Sequence, residues 1–161
     1  MERHIRRDPG RRLREIHRAH DVDVLPTRSS PRSRARYGLL SNVLRATSLL
    51  PFVPGGRDYA ASRRLFADLG FEELWENGGY AGFRSGEAQF ILQDFRDDAF
   101  ASNLMMKLLV PNLDQWWDAV SRIELARLYP GFRIETPAEF PWGREVHFVD
   151  LAGICWHVGE S

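Results

Sequence analysis

The sequence predicts an α+β domain built from two tandem βαβββ modules, and three observations predict it. An apolar fraction of 43% is enough to form a packed core. The order strand, helix, strand, strand, strand occurs twice after residue 48. The two copies also share landmarks, because LGF at 69–71 is echoed by PGF at 130–132 and AQFILQ aligns with GICWH at an offset of 64 residues.

The first predicted module covers about residues 48–97. LLPFV is typical of a strand, and PGGRD turns the chain into a helix, DYAASRRLFADLG, capped by Asp58 and ended by Gly70. Three strands follow, FEELWEN, YAGFRS and AQFILQDF, with turns at Gly78-Gly79 and Ser85-Gly86-Glu87. The pattern therefore predicts one helix against a small sheet.

The second predicted module covers about residues 102–160 and repeats this order. NLMMKLLV predicts a strand, and Asn112 opens a helix, LDQWWDAVSRIELARLYPG, that Pro130-Gly131 ends. Pro137 makes GFRIETPAEF an edge or broken strand, because proline has no backbone donor. WGREVHFVD and GICWHVGE close a hairpin, which makes His157 the counterpart of Gln93.

Residues 1–47 differ from the rest in charge and composition. They carry 12 Lys and Arg against 5 Asp and Glu, whereas residues 48–161 carry 10 against 17. The Arg-, Ser- and Pro-rich composition predicts a basic, flexible N-terminal extension. Such arms can bind nucleic acid through phosphates, but no nucleic-acid motif accompanies the arginines, so a DNA-touching arm on a dimerising domain is only a third interpretation.

Cysteine content and hydropathy indicate the cellular compartment in which the protein is expected. The single cysteine, Cys155, excludes an intrachain disulfide and a cysteine-based zinc cluster, and its strand pattern predicts a small buried apolar residue. The sequence has no run of about 18 apolar residues, so no membrane span is predicted. The N-terminus also lacks the apolar region of a secretory signal. We expect a cytoplasmic protein with no membrane partner.

Four stretches carry a resemblance to a known family: PFVPGGRDYAASRRLFADLGF, FILQDF, NLMMKLLVPNLDQWWDAV and PWGREVHFVDLAGICWH. Residues 49–160 resemble the vicinal oxygen chelate superfamily, most closely its glyoxalase/bleomycin-resistance branch. The resemblance implies that the modules form curved half-sheets around a cleft and that the chain forms a homodimer. Enzymes of this family hold a divalent metal in the cleft, whereas its bleomycin-resistance members bind a bulky cationic drug there without a metal.

The resemblance also places four metal-ligand positions in this sequence. They fall near Pro51, Gln93, Met105 and His157. Proline cannot coordinate through its side chain, and the methionine thioether suits soft ions, so we expect no metal and no other cofactor. His147 could serve as a further ligand, but we expect it to face the other side of the sheet.

The predicted ligand-binding residues are Gln93, His157, Met105, Phe95, Phe100 and Trp142, the last three as an apolar wall. A cluster of Asp94, Asp97 and Asp98 is either a rim for a cationic ligand or a solvated loop. No catalytic residue is predicted. The sequence thus favours a metal-free protein that binds a small molecule, such as a bulky cationic antibiotic. The alternative is a glyoxalase-type lyase or dioxygenase that uses Zn or Ni.

Overall fold

A computed structural model describes residues 45–161, and residues 48–161 form a compact unit of two β-sheets. The predictions made for residues 1–44 lie outside the described residues. The described elements run in the order β1 Phe52–Pro54, α1 Tyr59–Asp68, β2 Glu72–Asn77, β3 Tyr80–Ser85, β4 Ala88–Gln93, α2 Asp98–Ala101, β5 Met105–Val110, α3 Leu113–Ser121, α4 Leu125–Leu128, β6 Arg133–Ile134, β7 Ala138–Phe140, β8 Gly143–Val149 and β9 Cys155–Glu160.

Each predicted module forms one sheet, and the two sheets have related topologies. Sheet A has the order β1-β4-β3-β2, with β1 parallel to β4 and the other pairs antiparallel. Sheet B has the order β5-β9-β8-β6, with β5 parallel to β9 and β7 also paired to β8. The α+β fold with two βαβββ modules is therefore confirmed, and in both modules the first strand lies beside the last.

The helix starts follow the predicted caps. The Asp58 side chain accepts from the Ala61 amide at 2.8 Å, and the Asn112 side chain accepts from the Gln115 amide at 2.8 Å. These bonds satisfy amides that have no partner within the helix. Gly70 has φ 90°, as the predicted left-handed position after α1 requires.

The predicted long helix of the second module is wrong in its middle. It breaks into α3 and α4, and Glu124 between them takes the left-handed conformation with φ 55°. Val120 and Leu125 are both buried, yet five residues along a straight helix would point them about 140° apart. The break lets both side chains reach the core.

Two smaller differences concern short elements. The predicted edge strand around Pro137 is two strands, β6 and β7, which both pair with β8. The sequence did not predict α2, which Asp97 caps by accepting from the amides of Ala99 and Phe100. Asp97 is thus the N-cap of a short helix and not part of an irregular loop.

An aromatic core joins the two modules. Phe66 on α1 lies 4.8 Å from Phe90 of β4 and 5.4 Å from Trp156 of β9, between ring centroids. Trp156 also stacks on Phe148 at 5.6 Å. All four rings are at most 3% exposed, so one face of each sheet is sealed by the core. We call the opposite faces the open face of sheet A and the open face of sheet B.

A buried carboxyl group fixes the hairpin between β8 and β9. Asp150 accepts from the Ile154 amide at 3.0 Å and from the Trp156 indole Nε1 at 2.9 Å. Burial raises the pKa of Asp150 to about 6, although these hydrogen bonds lower it in part. The hairpin therefore sets the position of every residue along β9, including His157.

Candidate functional site

Four polar side chains converge on the open face of sheet B. Side chains alternate along a strand, so Val146, Phe148 and Trp156 enter the core while their neighbours point the other way. Glu145 and His147 come from β8, and His157 comes from β9. The β8–β9 register puts His147 directly opposite His157, and the β5–β9 register puts Lys107 beside His157.

Glu145 is the centre of this polar network. Its Oε2 lies 2.8 Å from His147 Nε2 and 3.0 Å from His157 Nδ1, and its Oε1 accepts from Lys107 Nζ. The carboxylate side chain is 2% exposed, and each imidazole is 12% exposed. We call Glu145, His147, His157 and Lys107 the Glu145 network.

The network keeps its carboxylate ionised. Burial raises the pKa of Glu145, but hydrogen bonds from Lys107, His147, His157 and Trp142 outweigh burial and bring it down to about 2. Burial also lowers the pKa of His157, against the opposing effect of Glu145. The arrangement therefore favours a carboxylate anion beside a neutral His157.

The hydrogen-bond pattern leaves one nitrogen unsatisfied. An ionised carboxylate can only accept, so the ring nitrogens that face it carry the hydrogens. His157 then has its lone pair on Nε2, which is buried and has no partner among residues 45–161. Buried polar atoms are nearly always paired, so an orphan next to a polar cluster is typical of a binding site.

Aromatic rings border the Glu145 network on its β7 side. Phe140 stacks on His147 with ring centroids 4.6 Å apart and on Trp142 at 5.3 Å. The Trp142 indole is 44% exposed. This stack restricts the His147 ring and offers an accessible apolar surface beside the charged groups.

The open face of sheet A has a different chemistry. Phe52 and Tyr80 pack edge to face at 6.1 Å, and the register places Gln93 between Pro54 and Tyr80. Trp75 lies directly over Gly82, where an added Cβ would come within 2.4 Å of the indole Nε1. The face is therefore largely aromatic, with the Gln93 amide among the rings.

The predicted binding residues are divided between the two sheets. Gln93 lies on the open face of sheet A, whereas Met105 and His157 lie on the open face of sheet B. Phe95 follows β4 and Phe100 lies in α2, and the two are 42% and 50% exposed. No hydrogen bond joins the Gln93 and His157 side chains in the described part of the chain.

The orientation expected for His147 is wrong, because it faces the same side as His157 and not the opposite one. Sequence reasoning also missed Glu145 and Lys107. A signal was present for Glu145, since residues two apart on a strand share a face and Glu145 therefore accompanies His147. No comparable signal pointed to Lys107, because its position beside His157 depends on the register between β5 and β9.

The metal set implied by the resemblance does not fit these residues. Pro54 on β1 is opposite Gln93, and Lys107 on β5 is opposite His157. The first strand of each module therefore offers no metal ligand beside Gln93 or His157. A proline side chain has no donor atom, and a protonated lysine has no free lone pair. Met105 is opposite Cys155, two pairs along the strands from His157.

The acidic cluster after β4 is partly engaged in other contacts. Asp98 binds Arg96 at 2.9 Å and lies 3.8 Å from Arg57, and Asp97 caps α2. These contacts give two of the three carboxylates a structural partner. The interpretation as a rim for a cationic ligand stays a prediction.

The fold is that of known ligand-binding proteins and enzymes. A bleomycin-binding protein complexed with bleomycin matches with a TM-score of 0.62 at 19% identity, covering 72% of this chain and 99% of that one. Another, from bleomycin-producing Streptomyces verticillus and complexed with copper(II)-bleomycin, matches with a TM-score of 0.62 at 24% identity, covering 73% and 98%. Lactoylglutathione lyase from Agrobacterium tumefaciens matches with a TM-score of 0.51 at 17% identity, covering 72% and 95%.

Two other comparisons, with family models and with curated proteins, gave no match: no family model matches the sequence, and no curated protein matches it significantly. None of the helices in residues 45–161 is long and apolar enough to cross a bilayer. The likeness therefore establishes the fold.

Proposed function

We propose that this chain, which has the fold of the vicinal oxygen chelate superfamily, binds a small, largely apolar and cationic molecule on its open faces, as an antibiotic-sequestering protein. One observation carries the proposal: large apolar side chains on the open faces stay partly exposed to solvent. They are Phe52, Trp75, Tyr80, Met105, Leu109 and Trp142, each 39–55% exposed.

Exposed aromatic surface beside polar groups is what a ligand site needs. Rings supply contact area, and a few fixed polar groups orient the ligand. On sheet B the Trp142–Phe140 stack supplies contact area, and the imidazoles of His147 and His157, held by Glu145, are the fixed polar groups. The acidic excess of residues 48–161 also favours a cationic ligand. The bleomycin-binding proteins of similar fold support the class of ligand.

We further propose that the chain acts in the cytoplasm as a homodimer whose open faces are covered by pairing. Several large apolar side chains exposed on the faces of two sheets are typical of a surface that binds another molecule. Sedimentation equilibrium of the full chain should give twice the chain mass. A monomer at all concentrations up to about 100 μM, well above usual dimer dissociation constants, would contradict the dimer.

Calorimetric and fluorescence titration with metal-free bleomycin tests the binding. We expect saturable binding that Trp75→Ala or Trp142→Ala weakens roughly tenfold, because buried aromatic anchors dominate such contacts. Leu128→Ala is the matched control, since Leu128 is 56% exposed but lies on α4, away from the open faces. No heat and no fluorescence change would contradict the antibiotic, and an equal loss in Leu128→Ala would contradict the site.

One observation favours the alternative, a metal-dependent glyoxalase-type lyase or dioxygenase. Glu145, His147 and His157 bring together a carboxylate and two imidazoles, a donor set that metalloenzymes use. Turnover of methylglyoxal–thiol adducts by Zn- or Ni-loaded protein, abolished by chelator, would establish an enzyme. Absence of turnover with saturable bleomycin binding would favour the binding protein.

A further inference from the structure

We propose that Glu145, His147 and His157 form a site for one borderline divalent ion of the Zn²⁺, Co²⁺ and Ni²⁺ class, held entirely within sheet B. Their candidate ligand atoms all lie within 4.8 Å of one another. Two imidazole nitrogens and one carboxylate oxygen suit ions of this class better than Mg²⁺ or Ca²⁺, which prefer oxygen ligands alone. The proposal does not depend on antibiotic binding.

The distances are close to those in a metal site. Glu145 Oε2 lies 2.8 Å from His147 Nε2 and 3.0 Å from His157 Nδ1. An ion with bonds of about 2.0–2.2 Å holds neighbouring ligand atoms roughly 3–3.5 Å apart. Coordination would lengthen these two contacts by a few tenths of an ångström and would need a similar spacing between the two imidazole nitrogens, which lie within 4.8 Å of each other.

The backbone and the packing hold the three ligands in place. His147 and His157 are a directly opposed pair on adjacent antiparallel strands, and Glu145 is two residues from His147 on the same face. Phe140 stacks on the His147 ring with 4.6 Å between centroids. This constraint distinguishes the site from two mobile surface histidines.

The hydrogen-bond geometry shows which ring nitrogens would face the ion. His147 Nε2 and His157 Nδ1 both lie within hydrogen-bond distance of Glu145 Oε2. An ion at His157 Nδ1 requires the ring hydrogen to move to Nε2, which has no hydrogen-bond partner among residues 45–161.

Lys107 opposes the ion and gives the sharpest test. Its ammonium binds Oε1 of Glu145, which leaves Oε2 for the metal but places a positive charge beside it. Because like charges repel strongly at short range, Lys107→Gln should tighten metal binding roughly tenfold or more.

The experiment is a Co²⁺ titration of the full-length chain, followed by visible absorption and by Zn²⁺ competition. The chain has five histidines, and the other three are His4, His17 and His20. We expect one ion per chain, retained when those three are changed to Asn together. His147→Asn or His157→Asn should weaken binding at least as much as loss of an outer-shell partner does, roughly 10–100-fold.

Two results would overturn the proposal. One is the absence of a ligand-field band and of bound Zn²⁺ in both wild type and Lys107→Gln, with both proteins folded by circular dichroism. The other is stoichiometric binding that survives in both His147→Asn and His157→Asn but is lost in the triple variant. Since two separate ligand variants are compared, misfolding of one of them leaves the other to decide.

Discussion

The two open faces show how modules of the same topology come to differ in chemistry. Gln93 in β4 and His157 in β9 occupy corresponding positions, 64 residues apart, in the final strand of each module. Around Gln93 the neighbours are aromatic rings, with Phe52 and Tyr80 packed edge to face. Around His157 they are His147 and an ionised Glu145. The core faces keep the same apolar character, so divergence is concentrated where no core constrains the residue.

The ion pairs on the open faces of sheets A and B differ mainly in how deeply their side chains are buried. On sheet A, Arg84 binds Glu72 at 2.7 Å, but the two side chains are 46% and 63% exposed. On sheet B, Lys107 binds a Glu145 side chain that is only 2% exposed. Solvent screens the first pair and hardly reaches the carboxylate of the second, so the two pairs should contribute very differently to stability.

The largest expected effect is the loss of the Glu145 charge. Glu145→Gln should lower the free energy of unfolding by about 3 kcal/mol, because it leaves Lys107 and both imidazoles without an anionic partner. Glu72→Gln, the control on sheet A, should cost less than about 1 kcal/mol. Urea unfolding of both variants measures the difference. Equal losses would mean that the network on sheet B is no more than a surface cluster.

The second prediction concerns pH. In the unfolded chain Glu145 titrates near its usual value of 4.5, whereas in the folded protein its pKa is about 2. Between these values the unfolded state binds more protons, so stability from this carboxylate is present above about pH 4.5 and is lost as pH falls towards 2. The stability difference between wild type and Glu145→Gln, measured at pH 7, 4.5, 3.5 and 2.5, should shrink over that window. A difference independent of pH would contradict the assignment.

Most of the fold could be predicted from local sequence. Strand alternation placed Trp156 in the core and His157 on the other face, and capping residues Asp58 and Asn112 marked both long helices. The break before Leu125 could not be predicted, because it depends on burying residues that lie on different sides of a straight helix. Local signals thus fixed the element types, and packing decided where one of them ended.

The candidate site was harder to predict, because register decides which strands bring their side chains together. His157 was placed correctly by the turn after Asp150, but the orientation of His147 depends on its pairing with β9. A shift of one residue would have sent His147 to the core face. Lys107 lies on β5, which pairs with one edge of β9, whereas Glu145 lies on β8, which pairs with the other edge. Only the complete sheet therefore brings Lys107 to Glu145.

The third prediction uses the glycine beside the Glu145 network. A Cβ on Gly159 would lie 2.9 Å from Lys107 Nζ and 3.8 Å from Glu145 Cγ. Gly159→Ala should push the flexible lysine away and cost about 1 kcal/mol of stability, the lower end for added volume at a packed position. In a Lys107→Gln background the cost should fall, which a double-mutant cycle by urea unfolding would measure. An unchanged cost would place the strain in the backbone.

The smallest effect is expected at a glycine on the open face of sheet A. A Cβ on Gly82 would lie 2.4 Å from the Trp75 indole Nε1, so Gly82→Ala must displace the ring. Trp75 is 45% exposed and can move outward, and alanine suits a strand better than glycine, so stability should change by less than about 1 kcal/mol. The tryptophan emission should shift instead, and Trp75→Phe should abolish that shift. A large loss of stability without a spectral change would mean that the indole is fixed by packing, and the open face of sheet A would then be as rigid as that of sheet B.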